Sequence, residues 1–343
     1  MHDWRAFWRR RRAANFALLP FAALYGACSG GRRLLYRFGV LPSKECGAPV
    51  VVVGNITAGG GGKTPIVIAL AAELQKRNWQ VGIVSRGYGG NFVGERFVCE
   101  DDNWREVGDE PLLIKQKTGL PVCIGKNRHR AATMLAKAGC TMIISDDGLQ
   151  HYKMARRAEV CAMRGDYLFG NGWHLPAGPL REGKKRASSC TLSAIVNIAA
   201  AGDDDANSTN KTALPEGAPD NAVMVVLQPH YFYHTQNPDV HLPPQWFHHK
   251  TTAAFAGTAN PREFFDVLAQ SGIRPQTTLS LPDHGIMPQR QLDNIKADAV
   301  LTTEKDALKY PRHARLYGLA LRAFLPPEMT EQIAAAATTS TTT

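Results

Sequence analysis

The stretch APVVVVGNITAGGGGKTPIVIALAAELQK, residues 48–76, decides the fold. Ala48–Val53 (APVVVV) is a short run of β-branched residues that stops at Gly54, and it reads as a buried strand. From Thr64 to Lys76 the apolar residues Ile66, Ile68, Ala69, Leu70, Ala72 and Leu74 keep helical spacing. Between strand and helix lies Thr57-Ala58-Gly59-Gly60-Gly61-Gly62-Lys63-Thr64. This is the design of a P-loop. Glycines let successive backbone N–H groups face a polyphosphate, and the helix N-terminus adds partial positive charge. Lys63 would reach the β- and γ-phosphates of a nucleotide and Thr64 would offer its hydroxyl to Mg²⁺. The strict pattern has Gly where this chain has Thr57. A plain Gly-rich turn is the competing reading, and the flanking strand and helix with the Lys-Thr pair outweigh it.

Outward from this unit the strand–helix rhythm continues. Gln80–Ser85, Pro121–Ile124 and Thr141–Ser145 read as strands, with a helix over Arg128–Ala138. The alternation implies parallel βαβ units and an α/β fold, a P-loop NTPase-type doubly wound, mostly parallel sheet. Thr141–Ser145 ends in Asp146-Asp147-Gly148, where a P-loop enzyme carries the carboxylate that holds a hydrated metal; a simple Asp-Gly turn is the alternative. Val160–Met163 and Leu192–Asn197 are further strand candidates, and the polar stretch 199–221 reads as a solvated loop. Val223–Leu227 and Tyr231–His234 suggest a two-stranded connector. AAFAG at 253–257, a helix over Asn260–Gln270, Thr277–Leu281 and Ala299–Thr302 then suggest a second, smaller α/β domain. The expected division is an N-terminal segment 1–45, a P-loop domain 46–222, a linker 223–250, a small domain 251–330 and a frayed low-complexity tail 331–343.

The chain has 343 residues, 44% of them apolar and 20% charged, which excludes a mainly disordered chain and leaves room for a core and a cleft. Its net charge is +10, but residues 1–44 carry eight Arg and one Lys against Asp3 alone. The remainder is nearly neutral, so a general nucleic-acid surface is excluded as the main reading. The charge instead flanks the apolar run 13–28, which is too short for a spanning helix and contains Asn15 and Pro20. A signal peptide, a core helix and an interfacial helix with Arg reaching anionic headgroups compete here. A nucleotide site weighs against export. Seven scattered cysteines with no C-x-x-C pair point away from a disulfide framework or zinc site and toward a reducing cytosol.

The ordered motifs GNITAGGGGKTP (54–65), SRGYGG (85–90), VGDEP (107–111), DDGLQH (146–151), LPAGPLRE (175–182), FAGTANPREFF (255–265), LPDHG (281–285) and TTEKDALK (302–309) cover nearly the whole chain. Together they resemble the tetraacyldisaccharide 4′-kinase family of Gram-negative bacteria, in which Ser or Thr at the first P-loop position is usual. The resemblance implies phosphoryl transfer from ATP to the 4′-hydroxyl of a tetraacylated glucosamine disaccharide 1-phosphate, giving lipid IVA in lipid A biosynthesis. The Arg-flanked apolar segment, for its part, points to peripheral attachment at the cytoplasmic face of the inner membrane without spanning it, and no obligatory protein partner is evident. The chain departs from the family pattern at Gly90, where Arg is usual, at Leu149, at Gly183, and at Gly285, where a second His is usual.

By the same resemblance Asp109 is the expected base for the hydroxyl proton and His284 its orienting partner; a helix cap and a loop His are the plainer readings of these two residues. ATP-binding falls to Thr57 through Thr64, with Lys63 catalytic, and Mg²⁺ to Thr64, Asp146, Asp147 and Glu182. Arg128, Arg130 and Arg181 are candidates for substrate phosphate, since guanidinium forks fit phosphate. Gln150 and His151 are expected to support the Asp146-Asp147 turn. A P-loop kinase or synthetase for a soluble small molecule is the rival enzyme; it leaves the Arg-flanked apolar segment unexplained. A nucleotide-switched GTPase is the non-enzyme rival, but no N-K-x-D motif is present.

Overall fold

Four consecutive valines need apolar neighbours on both sides, because successive strand residues face opposite ways. The computed structural model, which describes residues 4–199 and 213–338, supplies them. Val51 and Val53 join one core layer and Val50 and Val52 the other, all at most 2% exposed.

Three helices open the chain: α1 (Trp4–Arg9), α2 (Ala13–Ala17) and α3 (Leu19–Arg37). Next come β1 (Val50–Gly54), α4 (Lys63–Lys76), β2 (Val81–Ser85), β3 (Glu95–Phe97), α5 (Trp104–Val107), α6 (Asp109–Thr118), β4 (Val122–Gly125), α7 (Arg128–Lys137) and β5 (Met142–Asp146). They are followed by β6 (Ala158–Arg164), α8 (Lys185–Ser188), β7 (Leu192–Ile198), β8 (Ala222–His234), β9 (Asn237–Leu242), β10 (Thr252–Ala256) and α9 (Pro261–Gln270). The chain ends with β11 (Thr277–Ser280), α10 (Gln289–Asp293), β12 (Ala299–Thr303), α11 (Glu304–Ala307), β13 (Leu316–Phe324) and α12 (Pro327–Thr338).

The strands form one sheet in the order β11-β10-β12-β13-β8-β7-β6-β1-β5-β2-β4-β3, with β9 paired to β8. Most pairs are parallel; β13–β8, β8–β9 and β3–β4 are antiparallel. β1 lies centrally, between β5 and β6, so the loop that leaves its C-terminal end opens where βα loops gather.

Two expectations change. Two antiparallel strands do lie within 223–250, but they are β8 and β9; the pieces Val223–Leu227 and Tyr231–His234 are both parts of β8, which also pairs with β7 on one side and β13 on the other. Pro229 hides this in the sequence. It has no N–H to give to the ladder, and the register with β13 shifts there, between Ala320 and Leu321. The second change is the tail: residues 331–338 are helical in α12, and Met329, Ile333 and Ala337 pack into the core beside α4. Most of the polar stretch 199–221, and residues 339–343, lie outside the described residues.

The N-terminal helices are fixed to the body by polar contacts. Asn15, fully buried, donates to the Ala177 carbonyl at 3.0 Å, and Arg5 pairs with Asp166 at 3.1 Å. Ser29 donates to the Arg181 carbonyl at 2.9 Å. The outer side of α3 and the residues after it are bare: Phe21, Leu24 and Phe38 are 62%, 65% and 75% exposed. Among the described residues no helix is long and apolar enough to cross a membrane.

Candidate active site

The loop between β1 and α4 is pinned from below. Ala58 N–H donates to the Pro179 carbonyl at 2.8 Å and Arg181 N–H to the Ile56 carbonyl at 2.7 Å. Gln150 donates to the Asn55 carbonyl at 3.0 Å, so it braces the start of this loop rather than the Asp146-Asp147 turn. Gly62 sits at φ +73°, and a Cβ there would lie 2.9 Å from Val196, so the loop closes onto β7 only with glycine. Lys63 then begins α4 with its amine 3.3 Å from Asp147 Oδ1.

The strand end that faces this loop is acidic, as expected. Asp146 is 1% exposed and accepts from Ser85 at 3.2 Å, while its Oδ1 has no hydrogen-bond partner. Burial first, then the Glu110 and Asp147 carboxylates, push its carboxyl up to about 7 against the pull of Lys63 and Arg128. Burial acts the same way on Asp147, but Lys63, Arg181 and Arg128 outweigh it and hold that carboxyl below the usual range. Arg181 reaches Asp147 Oδ2 at 3.6 Å.

Asp109 begins α6, where Gly108 at φ +93° turns the chain into the helix. Its carboxylate lies 2.9 and 3.1 Å from His284 Nδ1, on the loop after β11, although 175 residues separate them. Lys309 Nζ stands 3.6 Å from Asp109 Oδ2. Burial would raise the Asp109 carboxyl, but the His284 hydrogen bond and the cations of Lys305, His284 and Lys309 win and hold it low. Asp109 is 2% exposed; the His284 side chain, 20% exposed, stands on the cleft side of the pair. The Tyr88 ring lies 5.1 Å from the imidazole.

One cleft of about 840 Å³ is lined by Lys63, Thr64, Asp147 and Arg181 on one side and by Asp283, His284 and Lys305 on the other, with Asp146 and Asp109 behind its walls. The volume is in the range of a small-molecule site.

Three expected site residues lie elsewhere. Glu182 turns away from Asp147, while its neighbour Arg181 takes the cleft side. Its Oε2 is held by Tyr152 at 2.6 Å and Arg186 at 3.3 Å, while its Oε1 is buried without a hydrogen-bond partner, and the side chain does not line the cleft. Arg128 is 5% exposed and donates to the Asp147 carbonyl at 2.5 Å, so it shapes the acidic turn instead of facing a ligand. Arg130 points outward and pairs with Glu95 at 3.7 Å. His151 supports the turn only through its backbone, donating to the Gly148 carbonyl at 2.9 Å; burial and then neighbouring Arg side chains depress its imidazole to about 4. Sequence reasoning gave no role to Lys305, Asp306 and Lys309. Their signal was the charge alternation of TTEKDALK just after a strand.

The family model described as Tetraacyldisaccharide-1-P 4′-kinase matches residues 14–338. A tetraacyldisaccharide 4′-kinase of Acidovorax ebreus is 38% identical over 327 residues, covering 94% of this chain and 90% of that protein. One of Shewanella amazonensis is 37% identical, covering 95% and 93%. The crystal structure of LpxK from Aquifex aeolicus, an "apo" form in complex with ATP, superposes with a TM-score of 0.76 at 26% identity, covering 94% of this chain and 99% of that one. With the family model matched along almost all of its length, the chain belongs to the tetraacyldisaccharide-1-P 4′-kinase family.

Proposed function

We infer that this cleft carries out the family's reaction, transfer of the γ-phosphoryl group of ATP to the 4′-hydroxyl of a tetraacylated disaccharide 1-phosphate. The observation that carries the reading is the shared cleft, which sets Lys63 and Arg181 opposite the Asp109–His284 pair. Phosphoryl transfer is mostly positioning and charge neutralisation. The loop amides that follow Ala58, residues 59–64, cradle the polyphosphate. Lys63, which stands 3.3 Å from Asp147 Oδ1, turns to the β- and γ-phosphates. Arg181 offers a second cation from the same wall. The acceptor hydroxyl gives its proton to the Asp109–His284 pair. The Asp109 carboxyl is held low, and the imidazole stands between it and the cleft.

The donor set fits a hard cation. Thr64, Asp146 and Asp147 are oxygen donors beside the phosphate loop, and the unpartnered buried oxygen of Asp146 is the kind of group a cation satisfies. When bound, Mg²⁺ would neutralise charge on the β- and γ-phosphoryl oxygens. Among the described residues no three His, Cys, Asp or Glu side chains form a protein-only metal cluster, and a metal that rides with a nucleotide does not need one.

The N-terminal helices dock the protein on the cytoplasmic face of the membrane that holds the substrate's acyl chains. The exposed Phe21, Leu24 and Phe38, beside Arg10, Arg12, Arg32 and Arg37, support this, because apolar side chains with basic neighbours suit an anionic interface. The test is ATP-dependent phosphorylation of the tetraacyldisaccharide 1-phosphate, with a soluble glucosamine disaccharide as control. Transfer to the soluble sugar at an equal rate would favour the soluble-substrate kinase instead.

A further inference from the structure

The side chain of Lys309 is fully enclosed. Burying an ammonium is costly unless it is paired, and a Met of similar length would avoid that cost. The pairing here is specific. Nζ lies 2.8 Å from Asp306 Oδ1, 3.1 Å from the Gly285 carbonyl and 3.6 Å from Asp109 Oδ2. Asp306 is itself fixed, accepting from Gly257 N–H at 2.7 Å and Thr303 at 2.8 Å. The ammonium therefore rests on a rigid support in one half of the sheet and faces the carboxylate that the other half delivers. Trp104, which precedes α6, covers it with its ring 5.9 Å away.

The Gly285 contact matters because His284 holds the left-handed conformation at φ +59°, uncommon for a residue with a Cβ. Its loop is tied by His284 N–H to the Gly257 carbonyl at 3.0 Å and Gly285 N–H to the Pro282 carbonyl at 2.7 Å. Lys309 adds the bond to Gly285. One ammonium thus touches the carboxylate of the pair and the backbone next to its imidazole.

We propose that Lys309 is the positioning residue of the Asp109–His284 pair, keeping the Asp109 carboxylate turned to His284 Nδ1 and the His284 loop in its uncommon conformation. This rests on the reading of that pair as the proton acceptor. The other groups facing Asp109 are His284 and Lys305 across the cleft and Glu110 on its own helix, with Asp283 and Asp306 behind the lysines. Removing one cation from this set makes the pair easier to protonate. The acid limb of activity must then move to higher pH, whichever member first receives the proton.

The experiment is steady-state phosphorylation of tetraacyldisaccharide 1-phosphate by the full chain across pH. The variants are Lys309→Met, Lys309→Arg, Lys309→Met/Asp306→Asn and Asp109→Asn. Lys309→Met should lower kcat by about tenfold or more, leave the KM for ATP unchanged and move the acid limb about one pH unit higher. Lys309→Arg should bring the limb back. The double variant leaves no unpaired buried charge, so it keeps the test open if Lys309→Met fails to fold, and it should show the same displaced limb. A limb at the wild-type position in the Lys309→Met and double variants, with only lower thermal stability, would overturn the proposal. Asp109→Asn separates the two readings. If it is inactive while the limb stays put, the role of Lys309 alone is wrong. If it turns over normally, the proton-acceptor reading fails and this proposal with it.

Discussion

Gly90 stands where the family pattern carries Arg, and the structure makes that exchange costly. A Cβ at residue 90 would lie 2.3 Å from the Glu106 carbonyl oxygen and 2.7 Å from Gly108 N. Ordinary carbon contacts fall near 3.5 Å, so the turn over residues 106–108 must retreat by about 1 Å. That turn is also tied to the same loop by Asn91 N–H to the Arg105 carbonyl at 2.9 Å and Phe92 N–H to the Glu106 carbonyl at 3.1 Å. It leads directly into Asp109. Overpacking of this kind costs about 1–3 kcal/mol, a fall of a few degrees in Tm. Displacing a reacting group by about 1 Å costs on the order of 10²-fold in rate. Gly90→Ala should therefore lower kcat far more than its loss of stability explains, and Gly90→Arg should do no better. Thermal denaturation and steady-state kinetics on the same preparations read both effects. A Gly90→Ala enzyme with wild-type Tm and kcat would refute the packing argument.

Other expectations follow from the same site. Asp109→Asn, His284→Ala and the double variant should be strongly non-additive, each single change costing about 10²–10⁴ in kcat and the double little more; effects that multiply would show that the two residues act separately. Lys63→Ala should reduce turnover by orders of magnitude with the fold intact by circular dichroism, and near-normal turnover would remove the phosphate-site assignment. Glu182→Gln should leave the Mg²⁺ dependence of the rate unchanged, because the carboxylate faces Tyr152 and Arg186; a large rise in the Mg²⁺ requirement would return it to the metal site. Arg10→Gln/Arg12→Gln should weaken binding to anionic vesicles by about 1 kcal/mol per residue at low salt, and equal binding to neutral and anionic vesicles would contradict the electrostatic part.

The first half of the sheet was legible because its strands are buried on both faces and so appear as unbroken apolar runs: Val50–Val53 and Met142–Ile144 are fully enclosed. β13 was missed because its second half, residues 321–324, is only partly covered and carries Arg322 amid apolar residues. α6 was missed because Pro111 stands at its third position, where a first turn tolerates it and a sequence reading sees a break. At the site, the phosphate loop and the acidic strand end are local patterns, so spacing reveals them. The Asp109–His284 contact is not local, and only the motif order suggested it. The directions of Arg128 and Glu182 were hidden for the same reason. Residue type says what a side chain can bind, whereas its direction is set by the backbone, and both point into the body.

The thirteen residues of β8 have a consequence for any attempt to divide this protein. At about 3.3 Å per residue the strand runs roughly 40 Å, and it forms ladders with β7 on one edge and β13 on the other. No cut within or beside it yields two closed pieces. A fragment ending before residue 222 leaves β7 as a bare edge, and one starting after residue 234 leaves β13 bare. Both edges are apolar and unprotected, the condition under which strands recruit one another into aggregates. Expression of either half alone should give insoluble material, while co-expressed halves that share an intact β8 can re-form the sheet. Genetic dissection of the enzyme is therefore better done by fragment complementation than by isolated domains.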